Sequence, residues 1–256
     1  MLKLKSLRLS LLSLIFIALF ACKSDDEVAP EEEDPIEALE FDAQNPPVEL
    51  PSAMQNSSNQ YTAIVNGFAA SVNALTTYNG YFQVPEGAEY STTPITGVNE
   101  RTAASFRVYT WTASDGVNSV TYAYQLSEDN DDYVFEIFYK YNSDNYYKLL
   151  EGRESKGDLR VGSLSWYGLE ENSGVLFSYN WEEFVDGSFN MTWSSSNEKV
   201  IFNIASDGSG SLGIYEINSS SQSIITSQII WNAAGTEGTY ITYSDGVAVE
   251  TINWTS

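Results

Sequence analysis

From Tyr61 onward the apolar positions fall at Tyr61, Ile64, Val65, Phe68, Val72 and Leu75, the spacing of one stripe along an α-helix. The pattern predicts a single amphipathic helix, with Ser57 and Ser58 offering N-cap oxygens before it and Asn79-Gly80 ending it. Past Arg101 the period changes to two. Tyr133, Phe135, Ile137, Tyr139 and Tyr141 alternate with Val134, Glu136, Phe138 and Lys140, and Val175, Phe177, Tyr179 and Trp181 alternate with Leu176, Ser178, Asn180 and Glu182. These runs read as strands with one fully apolar face. Similar runs follow at about ten-residue spacing over 106–113, 120–126, 146–151, 159–167, 189–193, 200–204, 211–217, 223–231, 239–243 and 247–254.

The punctuation between runs supports hairpins. Asp115-Gly116, Asp186-Gly187, Asp207-Gly208 and Asp245-Gly246 are Asp-Gly pairs of the kind that type I′ turns favour, because both central residues there take positive φ. All seven prolines lie at or before Pro94, so none removes a ladder donor later in the chain. No strict repeat period emerges, which argues against a propeller or solenoid. The expected fold is mainly β: an antiparallel meander of about twelve strands forming a strongly curved sheet or barrel, with one N-terminal amphipathic helix packed on it. The open, curved sheet is the preferred form, since the helix stripe needs an apolar surface to cover. This plan is similar to the curved half-barrels of lipoprotein carriers and to lipocalin-like barrels, in architecture alone; the Gly-x-Trp of the first lipocalin strand is missing.

The first residues form a separate unit. Lys3, Lys5 and Arg8 precede an apolar run from Leu9 to Phe20 that is shorter than the ~20 residues a membrane span requires, and small Ala21 stands before the break. Leu19-Phe20-Ala21-Cys22 resembles the lipobox of bacterial lipoproteins, Phe20 being bulkier than the residue usual there. Lys23-Ser24-Asp25-Asp26-Glu27 looks like the acidic segment that directs Bacteroidota lipoproteins to the cell surface. The resemblance implies cleavage before Cys22, acylation of that cysteine, and a protein tethered to the outer membrane through lipid and displayed at the cell surface, with the periplasmic face as the alternative.

Asp25, Asp26, Glu27, Glu31, Glu32, Glu33, Asp34, Glu37, Glu40, Asp42 and Glu49 all precede residue 50, with Pro30, Pro35, Pro46 and Pro47 among them. Self-repelling charge and prolines predict a disordered tether. The domain plan is therefore a signal peptide over 1–21, an acidic tether over 22–55 and one helix-plus-meander domain over 56–256. Without Lys3, Lys5 and Arg8, the 12 basic residues fall to 9 against 35 acidic ones, a net charge of −26. A field of that sign repels phosphate backbones, so nucleic acid is a poor partner.

Candidate chemistry is sparse. The chain has no histidine, and its one cysteine is Cys22, so Ser-His and Cys-His catalysis and structural zinc are excluded. Carboxylates remain, and Glu136, Glu182 and Glu183 are the candidates for a glycosidase pair. Glu136 shares the more polar strand face with Lys140, which reads as the solvated face of a half-buried sheet. Glu128-Asp129-Asn130-Asp131-Asp132 lacks the glycine and distal glutamate of an EF-hand loop and reads as an acidic hairpin tip. Lys140, Lys148, Arg153, Lys156 and Arg160, interleaved with Asp144, Glu151, Glu154 and Asp158, read as a mixed solvated sheet face, or as a dock for the tether or an anionic glycan. No catalytic residue, metal site or cofactor is assigned.

Six tryptophans and seventeen tyrosines fit strand cores, where rings pack well on the pleat. Three aromatics are set apart as ligand contacts. Trp166 is in phase with Arg160, opposite Leu159 and Val161, and is expected at the surface. Tyr146 and Tyr147 sit together near a turn and cannot both face inward. The function expected from the sequence is a non-catalytic envelope lipoprotein whose β-domain binds a glycan or an apolar molecule held under the helix. The alternatives are a structural subunit docking to an envelope protein partner and, third, a carboxylate-based glycoside hydrolase.

Overall fold

A computed structural model describes residues 41, 48–95, 106–141, 145–157, 160–169 and 174–256. The expected leader, Cys22, the acidic segment after it and most of the expected tether lie outside the described residues, as do Asp144, Asp158 and Leu159. Among the described residues two helices, α1 (Ser52–Gln55) and α2 (Gln60–Asn73), precede a 3₁₀ segment (Ala74–Phe82). The strands are β1 (Glu89–Ser91), β2 (Phe106–Ser114), β3 (Ser119–Asp129), β4 (Asp132–Lys140), β5 (Tyr147–Ser155), β6 (Arg160–Tyr167) and β7 (Val175–Glu183). They continue with β8 (Phe189–Ser195), β9 (Glu198–Ile204), β10 (Gly210–Ile217), β11 (Ser223–Trp231), β12 (Glu237–Ser244) and β13 (Val247–Thr255). They form one 13-stranded sheet in sequential order, antiparallel throughout, open between β1 and β13.

The expected meander is present, with β1 added at one edge. Its three residues carry no alternation long enough to register as a strand. The hairpins differ from the expected turn type in most cases. At Asp245-Gly246 both residues take positive φ, 50° and 77°, as a type I′ turn requires. At Asp186-Gly187 and Asp207-Gly208 only the glycine does, and Gly187 N donates to Phe184 O while Phe184 N donates to Ser188 O. That is a type I turn closed by a left-handed residue, with the aspartate Oδ1 accepting from the Ser188 amide at 2.9 Å.

The helix begins one residue later than expected, capped by Asn59, whose side chain accepts from Tyr61 N at 2.9 Å. Ser57 instead supports the cap from behind, its Oγ accepting from Asn59 N. Asn79-Gly80 does not end the helical segment, which tightens to 3₁₀ at Ala74 and runs on to Phe82. Val65, Val72 and Leu75 are buried, while Ile64 is 44% exposed, so the contact stripe is rotated towards Thr62 and Ala69.

The helical segment is a strap laid across the strands. Tyr61 stacks on Tyr240 of β12 at 4.6 Å, Phe68 meets Phe202 of β9 at 5.4 Å, Tyr78 meets Trp166 of β6 at 5.6 Å, and Phe82 meets Phe135 of β4 at 6.2 Å and Tyr124 of β3 at 6.2 Å. Fourteen α-helical and nine 3₁₀ residues reach about 39 Å. Nine strand intervals from β12 to β3 measure about 43 Å. The strap is thus long enough to cover one face of the sheet almost from edge to edge.

Residues before 56 take part in the packing. Leu50 and Met54 are buried, and Asn73 clamps Val48 by accepting from its amide and donating to its carbonyl. Phe41 is buried among Phe82, Phe135 and Trp181, its ring against Gly152. Each such side chain withdrawn from water contributes roughly 1.5–3 kcal/mol.

Among the described residues the core holds three cross-strand glycine–tryptophan pairs. Gly162 pairs with Trp181, Gly210 with Trp231 and Gly238 with Trp254, and each indole occupies the space where the glycine's Cβ would stand. A large ring needs a bare backbone beside it when neighbouring strands are only ~4.8 Å apart.

Candidate functional site

The second sheet face is not the solvated surface expected of it. On β2–β4, Val108, Ala123, Gln125, Ser127, Val134, Glu136 and Phe138 are buried there, and Glu136 is 0% exposed. This quarter of the sheet is covered on both faces, which explains why β4 is apolar on both. Part of the cover is the stretch after β1, where Ile95 N donates to Gln125 Oε1 at 2.9 Å.

A charged chain begins at that contact. Gln125 Nε2 donates to Glu136 Oε2 at 2.8 Å, and Glu136 Oε1 lies 2.6 Å from Lys148 Nζ. Lys148 also bridges to Glu151 at 2.5 Å, Glu151 accepts from Arg153 Nε at 2.7 Å, and Arg153 Nη1 reaches Asp129 at 3.1 Å and Asp132 at 3.7 Å. Tyr167 donates to Glu151 at 3.4 Å. Burial opposes the charge on Lys148 and Glu151, yet the ion pairs outweigh it: Glu136 and Glu151 raise the Lys148 pKa, and Lys148 with Arg153 lowers Glu151 to about 2. Burial and the neighbouring Glu151 carboxylate raise the Tyr167 phenol.

These contacts divide the expected basic cluster. Lys148 and Arg153 are built into the chain, Lys156 pairs with Glu128 at 2.6 Å, and Arg160 lies 3.5 Å from Glu183. At the acidic hairpin tip Asp129, Asp132 and Glu128 face Arg153 and Lys156. The candidate glycosidase carboxylates are dispersed, Glu136 engaged inside the sheet cover, Glu182 on the open face and Glu183 on Arg160.

The three expected ligand contacts are not assembled into one site by the described contacts. Trp166 follows the phase of Arg160, but Leu164 in the same phase is fully buried, so this is the core face. Its ring is half-buried, stacked on Phe177 at 5.9 Å and met edge-on by Tyr78 and Tyr81. Tyr147 packs on Tyr139 at 5.9 Å, whereas the Tyr146 ring receives Lys140 at 4.9 Å. Both tyrosines are half-buried.

Beyond Arg153 the second face opens into a groove of about 510 Å³ with mixed lining, polar at Ser163, Asn180, Glu182, Asn190 and Asn203 and apolar at Val161, Trp181 and Met191. Pairing register aligns side chains of this face into two rows that cross the strands at right angles. One runs Arg153–Ser163–Asn180–Thr192, the other Val161–Glu182–Asn190–Asn203–Ser211. A second groove of about 670 Å³, including Ile230, Thr239 and Asn253, lies further along the second row. Amides and hydroxyls each donate and accept, so the rows match a ligand that does both. The sequence signal was present as polar residues alternating with core aromatics, but their alignment across strands depends on register.

Fold and site together define a class: an open antiparallel meander sheet, strapped on one face by a helix and presenting ordered polar rows on the other. No protein-family model matches the chain, and no curated protein matches it.

Proposed function

We propose that this is a lipid-anchored protein of the bacterial outer membrane, held by acylated Cys22 and displayed at the cell surface, whose β-domain binds glycans without catalysis. The observation carrying the reading is the groove on the open face, a concave surface with hydrogen-bonding side chains in register and Glu182 beside Asn180 and Asn190. Between the two expected ligand classes the geometry favours the glycan. Beneath the strap, Val65, Val72, Leu75, Phe135 and Phe202 are packed to near-zero exposure, which leaves the apolar face to core rather than cargo. The absence of histidine, and the engagement of Glu136 by Lys148 and Gln125, favour binding over hydrolysis.

The test is calorimetric titration of the detergent-solubilised full chain with neutral soluble oligosaccharides. Saturable binding that is weakened by Asn190→Ala, with an unchanged thermal midpoint, supports the reading; heats of dilution alone across the series end it. Acylation is read separately, as the mass of Cys22-containing peptide from cells compared with Cys22→Ser.

The structural-subunit reading has one observation of its own. β13 is an edge strand without a strand partner on its outer side among the described residues, and Val247 and Val249 are 67% and 63% exposed. Such an edge is a template for another strand. Co-purification of a stoichiometric envelope partner lost on Val249→Lys would favour it.

A further inference from the structure

We infer that the two grooves act together on one extended, uncharged polysaccharide chain lying across the strands; this rests on the glycan-binding reading above. The grooves share one row. From Asn190 and Asn203 it passes through Ser211 to Ile230, Thr239 and Asn253, each the direct cross-strand neighbour of the last. Four strand intervals separate Asn190 on β8 from Thr239 on β12, a distance of about 19 Å. A disaccharide is shorter than this span and stays within one groove; only a longer chain reaches both.

Each groove carries the same combination. In an otherwise polar row stands one exposed aliphatic side chain, Val161 at 38% in the first groove and Ile230 at 39% in the second. Sugar rings are amphipathic, with hydroxyls at the rim and C–H groups on the faces, so an aliphatic residue flanked by amides and hydroxyls suits them. The row is also tied sideways: Asn203 donates to Ser211 at 3.4 Å and Thr239 to Asn253 at 3.2 Å, which limits the rotamer freedom lost on binding.

Charge selects against anionic chains. Glu182 lies in the first groove and Glu237 in the second, while Arg153, at the rim of the first, is already shared by Glu151, Asp129 and Asp132. A row straight across the strands favours a ribbon-like chain over a coiled one.

The experiment compares cellobiose, cellotetraose and cellohexaose, with oligogalacturonate as the anionic control, on the full chain in detergent. Cellohexaose is expected to bind at least about tenfold more tightly than cellobiose, since tethering the second contact raises its effective concentration. Asn190→Ala and Thr239→Ala, one per groove, are each expected to bring cellohexaose down to the cellobiose affinity, and oligogalacturonate is expected to bind more weakly than either. Equal affinities for cellobiose and cellohexaose, with two equivalents of each bound, would overturn the joint action and leave single-groove glycan binding standing. No binding by any oligosaccharide would overturn the glycan reading together with this one.

Discussion

The indole of Trp231 lies against the backbone of Gly210 on the adjacent strand and donates its Nε1–H to the carbonyl of Gly208 at 2.9 Å. One residue thereby seals the core at the β10–β11 pair and fastens the turn that opens β10. The same glycine–tryptophan relation recurs at Gly162–Trp181 and Gly238–Trp254.

At these positions a methyl group displaces a large rigid ring or a neighbouring carbonyl. Gly210→Ala is expected to destabilise the domain by about 1–3 kcal/mol. Urea denaturation checks this. Gly174→Ala, where nothing stands near the added carbon, is the control with little effect.

The buried ion chain predicts a strong asymmetry between single and paired changes. Lys148→Met leaves Glu136 without its cation inside the sheet cover and is expected to cost about 3–5 kcal/mol. Adding Glu136→Leu and Glu151→Leu restores part of it, because no carboxylate is then stranded, while the buried Gln125 amide loses its acceptor. A triple variant as unstable as the single one would show that lost packing, not stranded charge, sets the cost.

Two groups with large shifts act at opposite ends of the pH profile. Glu151 is lowered from 4.5 to about 2 on folding, so its contribution is complete above about pH 4.5 and disappears as the pH falls towards 2. Tyr122 is raised from 10.0 to about 12 by burial and then by Tyr139, so its contribution is complete below about pH 10 and is lost as the pH rises towards 12. Thermal midpoints measured across the range are expected to fall at both ends. Glu151→Gln should flatten the acid limb, and it should also bring the alkaline limb to lower pH, because the same carboxylate raises Lys148.

Ser221 holds φ of 60° in a hairpin whose hydrogen bonds repeat those around Gly187 and Gly208. A left-handed serine carries a cost of roughly 1–2 kcal/mol that glycine avoids, offset partly by glycine's greater freedom when unfolded. Ser221→Gly is expected to raise stability by about 0.5–1 kcal/mol, seen as a higher urea midpoint with an unchanged slope.

Phe41 ties the beginning of the described chain to the core. Phe41→Ala is expected to cost about 3 kcal/mol, as for other buried phenylalanines. A chain starting at residue 56 loses Leu50 and Met54 as well and should melt lower still; equal melting of the two would return the packed boundary to residue 56.

Alternation was legible wherever one strand face is core and the other polar, as in Phe189–Ser195 and Glu198–Ile204. It misled where both faces are covered. Val134 and Phe138 beside Glu136 were the available signal that β4 is buried twice, and a glutamate amid apolar neighbours on both sides implies a cation such as Lys148. Trp166 shares the phase of Arg160 yet lies on the core face with Leu164, because Arg160 is the first residue of β6, where charge reports the strand end rather than the face.

By itself the sequence determined what is local: a stripe of helical period, strands of period two, turns at glycine, and a chain without histidine. These depend on residues within a few positions of one another. Tertiary structure alone decided which face the strap covers, that Glu136 is sealed in, and that Asn190, Asn203, Thr239 and Asn253 stand in one line. Those relations are fixed by register and packing between residues distant in the chain, where a shift of one residue moves every side chain to the other face.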